Sequence, residues 1–323
     1  MIPIEDLKAH ADFVLRGTDL KNMGEKKVGK VRDIYTQKDR IILVSTDRHS
    51  SFDRIIAHIP CKGAVLTGTS CFWFEQTKDI VPNHIIAMPD PNVVVVKKCK
   101  VVKVEAVVRG YLTGSTNTSI WVRYSAGERN FGGLVLPDGL KKNSKLPEPI
   151  FDPTTKEDAH DRALTLEELI AEGFASKELL TELKNKALAL FKRGQEISAK
   201  HGLILVDTKY EFGLDENGVL TLIDEIHTPD SSRYWKLASY AERMASGAEP
   251  EYFDKEFLRL WFKENCDPYK DAVIPEAPAD MVAELSRRYI EIYETITGKE
   301  FKMDFTTPIE ERIQKNLTEY QNA

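Results

Sequence analysis

Two segments of this 323-residue chain carry acidic side chains into places where a strand normally stays apolar. Residues 203–213 read Leu-Ile-Leu-Val-Asp-Thr-Lys-Tyr-Glu-Phe-Gly, and residues 220–235 read Leu-Thr-Leu-Ile-Asp-Glu-Ile-His-Thr-Pro-Asp-Ser-Ser-Arg-Tyr-Trp. Each opens as an apolar strand. Period-two alternation puts Asp207, Lys209 and Glu211 on one face, spread over roughly 13 Å. The link between the segments contains Asn217-Gly218, a strong hairpin signal, so the chain is predicted to fold back and bring Asp224 and Glu225 near Lys209 and Glu211. Such a cluster has two readings. One is a surface ladder of cross-strand ion pairs. The other is a site for a hard cation and the phosphates it carries. The second suits acids that follow apolar runs, because partly buried negative charge needs neutralising.

The length exceeds one typical core and predicts two domains or lobes. A formal net charge of −6 argues against a broad nucleic-acid surface. Basic residues cluster locally, at Lys26, Lys27, Lys30 and Arg32 and at Lys97, Lys98, Lys100 and Lys103, in each case alternating with apolar residues as on strands with one cationic face. The four cysteines show no metal-ligand spacing and no disulfide framework. The first residues lack the apolar core of a signal peptide, and no window approaches the 18 or so apolar residues that span a membrane. A cytoplasmic protein is expected.

Along the chain, residues 28–35 and 40–46 read as two strands joined by the polar turn 37–40. Residues 68–77 read as helix. The β-branched runs 93–98 and 101–109 are separated by two residues and predict another hairpin. Residues 132–153 are rich in Gly, Pro and Lys and read as a long loop in which proline blocks regular pairing. Helices are expected over 165–172 and 176–200, the second with Leu179, Leu183, Ala187, Leu190 and Phe191 as its apolar stripe, Ser176 as N-cap and Gly202 after its end. Further helices are expected over 250–264, 279–297 and 308–320.

Other segments bear chemistry. Gly29-Lys30 at a strand start lets amides and an ammonium approach phosphate oxygens, or is a glycine bulge with a surface lysine. Residues 45–53, Ser-Thr-Asp-Arg-His-Ser-Ser-Phe-Asp, pack acids, hydroxyls, an arginine and a histidine into a strand end or loop. They read as a site or as a turn in which Asp47 and Ser50 bond the backbone. Glu105, inside an apolar strand, needs a partner, and Arg109 lies on the same face. Arg109 with Ser115 in a Gly-rich turn is alternatively an anion clamp. After Thr228-Pro229, a helix beginning at Asp230 would aim its first amides, with Arg233, at an anion, or Asp230 is an ordinary cap.

In combination these segments are familiar. Gly-Lys-Val-Arg-Asp-Ile-Tyr, Ser-Thr-Asp-Arg-x-Ser-x-Phe-Asp, Val-Glu-Ala-Val-Val-Arg-Gly-Tyr-Leu-Thr-Gly-Ser, Pro-Ile-Phe-x-Pro-x-Thr-Lys, Leu-Val-Asp-Thr-Lys-Tyr-Glu-Phe-Gly and Ile-Asp-Glu-x-x-Thr-Pro-Asp-Ser-Ser-Arg-Tyr-Trp occur in this order. The chain resembles the SAICAR synthetase (phosphoribosylaminoimidazole-succinocarboxamide synthase) family. That resemblance implies an α+β fold, with a β-rich antiparallel N-terminal lobe (residues 1–112) over a larger α/β lobe with C-terminal helices (residues 113–323) and ATP between them. It implies an ATP-dependent ligase that joins L-aspartate to the carboxylate of carboxyaminoimidazole ribotide (CAIR), with Mg2+.

By the same resemblance, Gly29, Lys30, Val31 and Arg32 cover the nucleotide phosphates and Lys97 to Cys99 border adenine. Lys209, Glu211 and Asp224 act at the phosphates, Glu211 and Asp224 as metal ligands. Lys209, Glu211, Asp224 and Arg109 form the catalytic set. Asp47, Glu105, Arg109, Ser115, Lys156, Asp161, Asp230 and Arg233 contact substrate. Residues 156–161 are shorter than the matching acidic segment of fungal-type members. The expected partners are these small molecules, with no nucleic acid or membrane, in a monomer or small homo-oligomer. Two rivals remain at this stage: a kinase-like phosphotransferase, which would use the same acids but shows no His-Arg-Asp motif, and a non-catalytic nucleotide-binding module.

Overall fold

The computed structural model describes residues 1–115, 118–156, 162–253 and 256–322. The chain divides by packing into two compact units. The first comprises residues 1–72, 84–98 and 253–323, and the second residues 73–83 and 99–252. The division expected at residue 112 is not the one the packing makes: the chain leaves the first unit after Lys98, and the C-terminal helices belong to that first unit.

In the first unit, α1 (Ile4–Ala9) precedes a run of strands: β1 (Glu25–Val28), β2 (Arg32–Thr36), β3 (Arg40–Ser45), β4 (Arg48–Ser51) and β5 (Arg54–His58). Helix α2 (Lys62–Thr77) follows, with the unit boundary inside it, and then β6 (Ile85–Asp90) and β7 (Val93–Lys97). An antiparallel sheet has the order β1-β2-β3-β7-β6, and β4 pairs with β5. The turn expected at 37–40 joins β2 to β3. The single strand expected over 28–35 is instead broken. Gly29 donates its N–H to Arg32 O at 2.8 Å, and β1 turns back onto β2 there. The segment 45–53, read as a strand end or loop, closes β3 and then enters a tight β4–β5 hairpin whose tip residues Phe52 and Asp53 both adopt positive φ (56° and 58°).

Three later helices, numbered in chain order after those of the second unit, complete this unit: α7 (Glu256–Asn265), α8 (Ala279–Thr297) and α9 (Ile309–Asn322). The four-residue spacing of Ile309, Ile313 and Leu317 lays α9 on Tyr35, Ile42, Val44, Val93 and Val95. Helix α8 buries Leu285, Tyr289 and Ile290 with Phe52, Ile56 and Val65. Each such side chain contributes roughly 1.5–3 kcal/mol by leaving water.

The second unit is built on β8 (Lys100–Tyr111), which pairs with β11 (Lys145–Phe151), β12 (Thr154–Thr155) and β13 (Leu203–Leu214). Strand β13 in turn carries β14 (Leu220–Ile223) and β15 (Ser232–Lys236), and every pairing is antiparallel. Between them run α3 (Ile120–Ser125), the short pair β9 (Asn130–Phe131) and β10 (Leu134–Val135), α4 (Leu166–Ala171) and α5 (Lys177–Lys200), with α6 (Leu237–Ser246) after β15. Ser176 caps α5 by accepting the Leu179 N–H at 3.2 Å, and Leu183, Ala187, Leu190 and Phe191 form the buried stripe. Gly194 is where α5 comes close to its neighbours: a Cβ there would lie 2.4 Å from His227 Cε1.

Several expectations fail for physical reasons. Strands β7 and β8 do not pair; they belong to separate sheets. A two-residue hairpin needs positive φ at its centre, and neither Cys99 nor Lys100 has it. The proline-rich stretch 145–151 is a strand after all. It lies at the sheet edge and absorbs Pro147 and Pro149 through a register shift between Lys145 and Ile150. Helix α6 has no counterpart among the expected helices.

Candidate active site

The second unit gathers its charges on one face of β8 and β13. The register sets Arg109 opposite Asp207, Val107 opposite Lys209 and Glu105 opposite Glu211. Alternation turns Glu105, Arg109, Asp207, Lys209 and Glu211 the same way, while Val206, Tyr210 and Phe212 point into the apolar interior and are fully buried. One strand therefore carries core on one side and chemistry on the other.

The partners along this face are specific. Lys209 donates from Nζ to Glu105 Oε1 at 2.7 Å, and Thr154 Oγ1 donates to Glu105 Oε2 at 3.2 Å. The Glu105–Arg109 ion pair considered from sequence does not form. Arg109 Nε instead donates to Asp152 Oδ2 at 2.7 Å, and its Nη2 to Thr118 O at 3.3 Å. Arg123 Nη1 reaches the same carboxylate at 2.8 and 2.9 Å. Arg233 Nη1 donates to Asp207 Oδ2 at 2.8 Å. Lys156 Nζ pairs with Glu211 Oε2.

Asp224 enters this group through a turn. Glu211 lies opposite Ile223, the last residue of β14. Plain alternation would send Asp224 to the other face, but its backbone turns left-handed (φ 66°), and its carboxylate acts electrostatically on both Glu211 and Lys209. A second left-handed residue, His227 (φ 51°), anchors the same loop. Its Nε2 lies 2.5 Å from Tyr210 Oη, and its carbonyl accepts from Tyr234 Oη at 2.7 Å. Burial pushes the imidazole pKa down to about 3, so the ring is neutral and serves as a structural peg.

Burial raises the pKa of Glu211, and the neighbouring Asp224 carboxylate adds to the rise against Lys156 and Lys209. For Lys209, burial works against the charge, but Glu105, Glu211 and Asp224 outweigh it and push the ammonium pKa up. The two acids thus stand where a cation is electrostatically favoured, and the lysine beside them is held charged. Two hard carboxylates are a thin donor set. Among the described residues no group of three His, Cys, Asp or Glu is disposed to hold a metal. That suits a cation such as Mg2+, which takes one or two carboxylates and completes its shell with water and phosphate oxygens.

Other expected residues are less uniformly placed. Ser115 is exposed in the turn after β8. A Cβ on its neighbour Gly114 would come within 3.3 Å of Arg233 Nη1, so that turn and Arg233 adjoin. Asp230 does not start a helix. It lies in a turn where Ser231 and Ser232 donate their amides to Thr228 O, and strand β15 follows, so those amides are not aimed at a ligand. Asp47, in the first unit, is buried and serves as a backbone anchor. Its carboxylate accepts the amides of Leu15 and Gly63 at 2.7 and 2.8 Å. Gly29, Lys30, Val31 and Arg32 form the β1–β2 turn of the first unit, and Lys30 Nζ lies 3.0 Å from Asp53 Oδ1. Lys97 ends β7, and Cys99 opens the second unit. Asp161 and His160 lie outside the described residues. Sequence reasoning missed Asp152, Arg123 and Thr154. Asp152 falls at the variable position of Pro-Ile-Phe-x-Pro, and only a buried arginine in want of a counter-ion would have pointed to it.

Residues 25–275 match the family described as SAICAR synthetase. A phosphoribosylaminoimidazole-succinocarboxamide synthase of Legionella pneumophila is 54% identical over 306 residues, covering 94% of this chain and 98% of that protein. Among solved structures, a SAICAR synthase from Saccharomyces cerevisiae complexed with SAICAR is 32% identical with a TM-score of 0.77, over 90% of this chain and all of that one. A SAICAR synthetase in complex with ADP is 26% identical with a TM-score of 0.65, over 86% of this chain and all of that one.

Proposed function

Because the chain belongs to the SAICAR synthetase family, the ATP-dependent ligases of purine biosynthesis that join L-aspartate to CAIR, we propose that the charged face of β8 and β13, with the Asp224 turn, is its catalytic site. The observation that carries this reading is the placement of Glu211 and Asp224 beside a lysine held protonated by Glu105.

The chemistry asks for such a face. A carboxylate resists an amine because its charge is delocalised and oxide leaves poorly. In the proposed route the CAIR carboxylate oxygen attacks the γ-phosphorus of ATP, the bond to the β-phosphate oxygen breaks, and ADP leaves. The aspartate amine then attacks the acyl carbon, loses a proton and expels phosphate. Both steps concentrate negative charge, and positioned cations lower that cost. Lys209 supplies a fixed ammonium at the phosphates. Arg109, oriented by Asp152, supplies a planar fork at the ribotide. Mg2+ bound by Glu211 and Asp224 would neutralise phosphate charge.

In the same proposal Glu105, Ser115, Asp230 and Arg233 hold the ribotide, and Lys156 adds a second ammonium beside Glu211. Gly29, Lys30, Val31 and Arg32 bind nucleotide phosphates, Lys97 and Cys99 border adenine, and Asp161 keeps a substrate role by resemblance alone. The partners are small molecules, with no nucleic acid or membrane surface, in a cytoplasmic monomer or small homo-oligomer. The net charge of −6 argues against a broad nucleic-acid surface, and no helix of the described residues is long and apolar enough to cross a membrane. The test is ADP release by wild type and Lys209→Met with CAIR alone, aspartate alone and both. Product formation that needs both substrates and falls by at least about 100-fold in the variant supports the site. An unimpaired variant removes it.

A further inference from the structure

Arg48 belongs to the Ser-Thr-Asp-Arg motif that the catalytic proposal leaves without a role. It lies in β4, is 3% exposed, and divides its guanidinium between the β1–β2 turn, Arg16 and Asp33. Nη2 donates to Gly29 O at 3.1 Å, and Nε donates to Lys30 O at 3.1 Å. Nη1 donates to Arg16 O at 2.9 Å, and Nη2 also reaches Asp33 Oδ1 at 2.9 Å. The next carbonyl, Val31 O, accepts from Thr46 N at 3.0 Å and Thr46 Oγ1 at 2.8 Å. Three consecutive carbonyls of one turn are therefore held from the buried side by two residues of the motif, Thr46 and Arg48.

A trans peptide is planar, with its N–H opposite its C=O. Fixing the Gly29 and Lys30 carbonyls inward thus turns the N–H groups of Lys30 and Val31 outward, on the side where Lys30 is exposed. Two adjacent outward amides beside an ammonium suit a phosphate. Asp33 fixes the guanidinium in turn. It is fully buried and also accepts the Thr18 amide at 2.8 Å. We propose that Arg48 is a positioning residue for nucleotide phosphates: by gripping the Gly29 and Lys30 carbonyls it presets the turn's amides for the β- and γ-phosphates, without itself touching them. This rests on the reading of Gly29 to Arg32 as a phosphate-binding turn.

A lysine at position 48 keeps the charge but cannot bridge two carbonyls and Asp33 in one plane. The test is calorimetric binding of ADP and AMP to the full chain, comparing wild type with Arg48→Lys, Thr46→Val and Lys30→Ala. Arg48→Lys is expected to weaken ADP by about tenfold and to leave AMP within about twofold, because only ADP carries the second phosphate. Thr46→Val, which leaves the guanidinium in place, is expected to weaken ADP alone by about threefold, and it carries the test if Arg48→Lys does not fold. Equal losses for ADP and AMP, or none, in the folded variant overturn the proposal. If Lys30→Ala also binds ADP as wild type does, the phosphate-turn reading fails. If Lys30→Ala weakens ADP while Arg48→Lys does not, only the role of Arg48 fails.

Discussion

Lys209 Nζ lies 2.7 Å from Glu105 Oε1, a bridge between the two central strands of the second unit. The register makes this a diagonal pair, since Glu105 sits directly opposite Glu211. Two carboxylates facing each other across a ladder repel, and Lys209 between them offsets that repulsion. The lysine is thereby kept charged and its aim fixed.

Glu105→Gln tests this relationship. The amide keeps the shape and removes the charge that steers Lys209. The expected loss in kcat/KM is about 10- to 100-fold, matching the ~1.5–3 kcal/mol of a charge-assisted hydrogen bond. Steady-state kinetics alongside an unchanged circular dichroism spectrum check it, and a loss below about twofold would count against the bridge.

Asp152 serves two arginines, with Arg109 Nε at 2.7 Å and Arg123 Nη1 at 2.8 Å. Asp152→Ala leaves Arg109 charged and buried without its counter-ion, at an expected cost of about 3 kcal/mol in urea unfolding. A cost under about 1 kcal/mol would mean the pair is solvated.

Burial raises the pKa of the Asp47 carboxyl from 3.8 to about 6, against the amides of Gly63 and Leu15 and the charges of Lys62 and Arg312. The folded pKa lies above the unfolded one. Between roughly pH 4 and 6 the folded chain therefore keeps a proton that the unfolded chain has released, and stability falls as pH rises through that window, then levels off. Asp47→Asn lacks this dependence. The stability difference between wild type and variant should shift by on the order of 3 kcal/mol between pH 4 and pH 7 in denaturant titrations. A constant difference would contradict the raised value.

The pKa of Glu211 is raised by burial and by Asp224. Its carboxylate is lost at a higher pH than an ordinary glutamate's, and a metal ion held by Glu211 would compete with that proton. The acid limb of the kcat/KM profile should therefore move to lower pH as Mg2+ increases. A limb that stays fixed would separate Glu211 from metal binding.

How much of this was legible varies with the physics involved. Period-two alternation located Asp207, Lys209 and Glu211 on one face, and the Asn217-Gly218 turn brought back β14, because both signals are local. Cap and stripe placed α5 within a residue of its observed start. The partner choices were not local. Spacing favoured Glu105 with Arg109, whereas Glu105 took Lys209 and Arg109 took Asp152, 43 residues away, across strand pairings that the sequence does not encode by distance. The left-handed turns at Asp224 and His227 were equally hidden, since neither residue is glycine and the surrounding packing imposes them. Asp47 looked like a site residue for its company of hydroxyls and charges, yet its carboxylate ties two backbone amides.

The most direct test of the central claim is calorimetric binding of ADP to wild type, Asp224→Asn and Glu211→Gln, with and without Mg2+. If both carboxylates hold the cation that carries the phosphates, Mg2+ should strengthen ADP binding to wild type by at least about tenfold and leave binding to each folded variant nearly unchanged. An undiminished Mg2+ effect in both variants would contradict it.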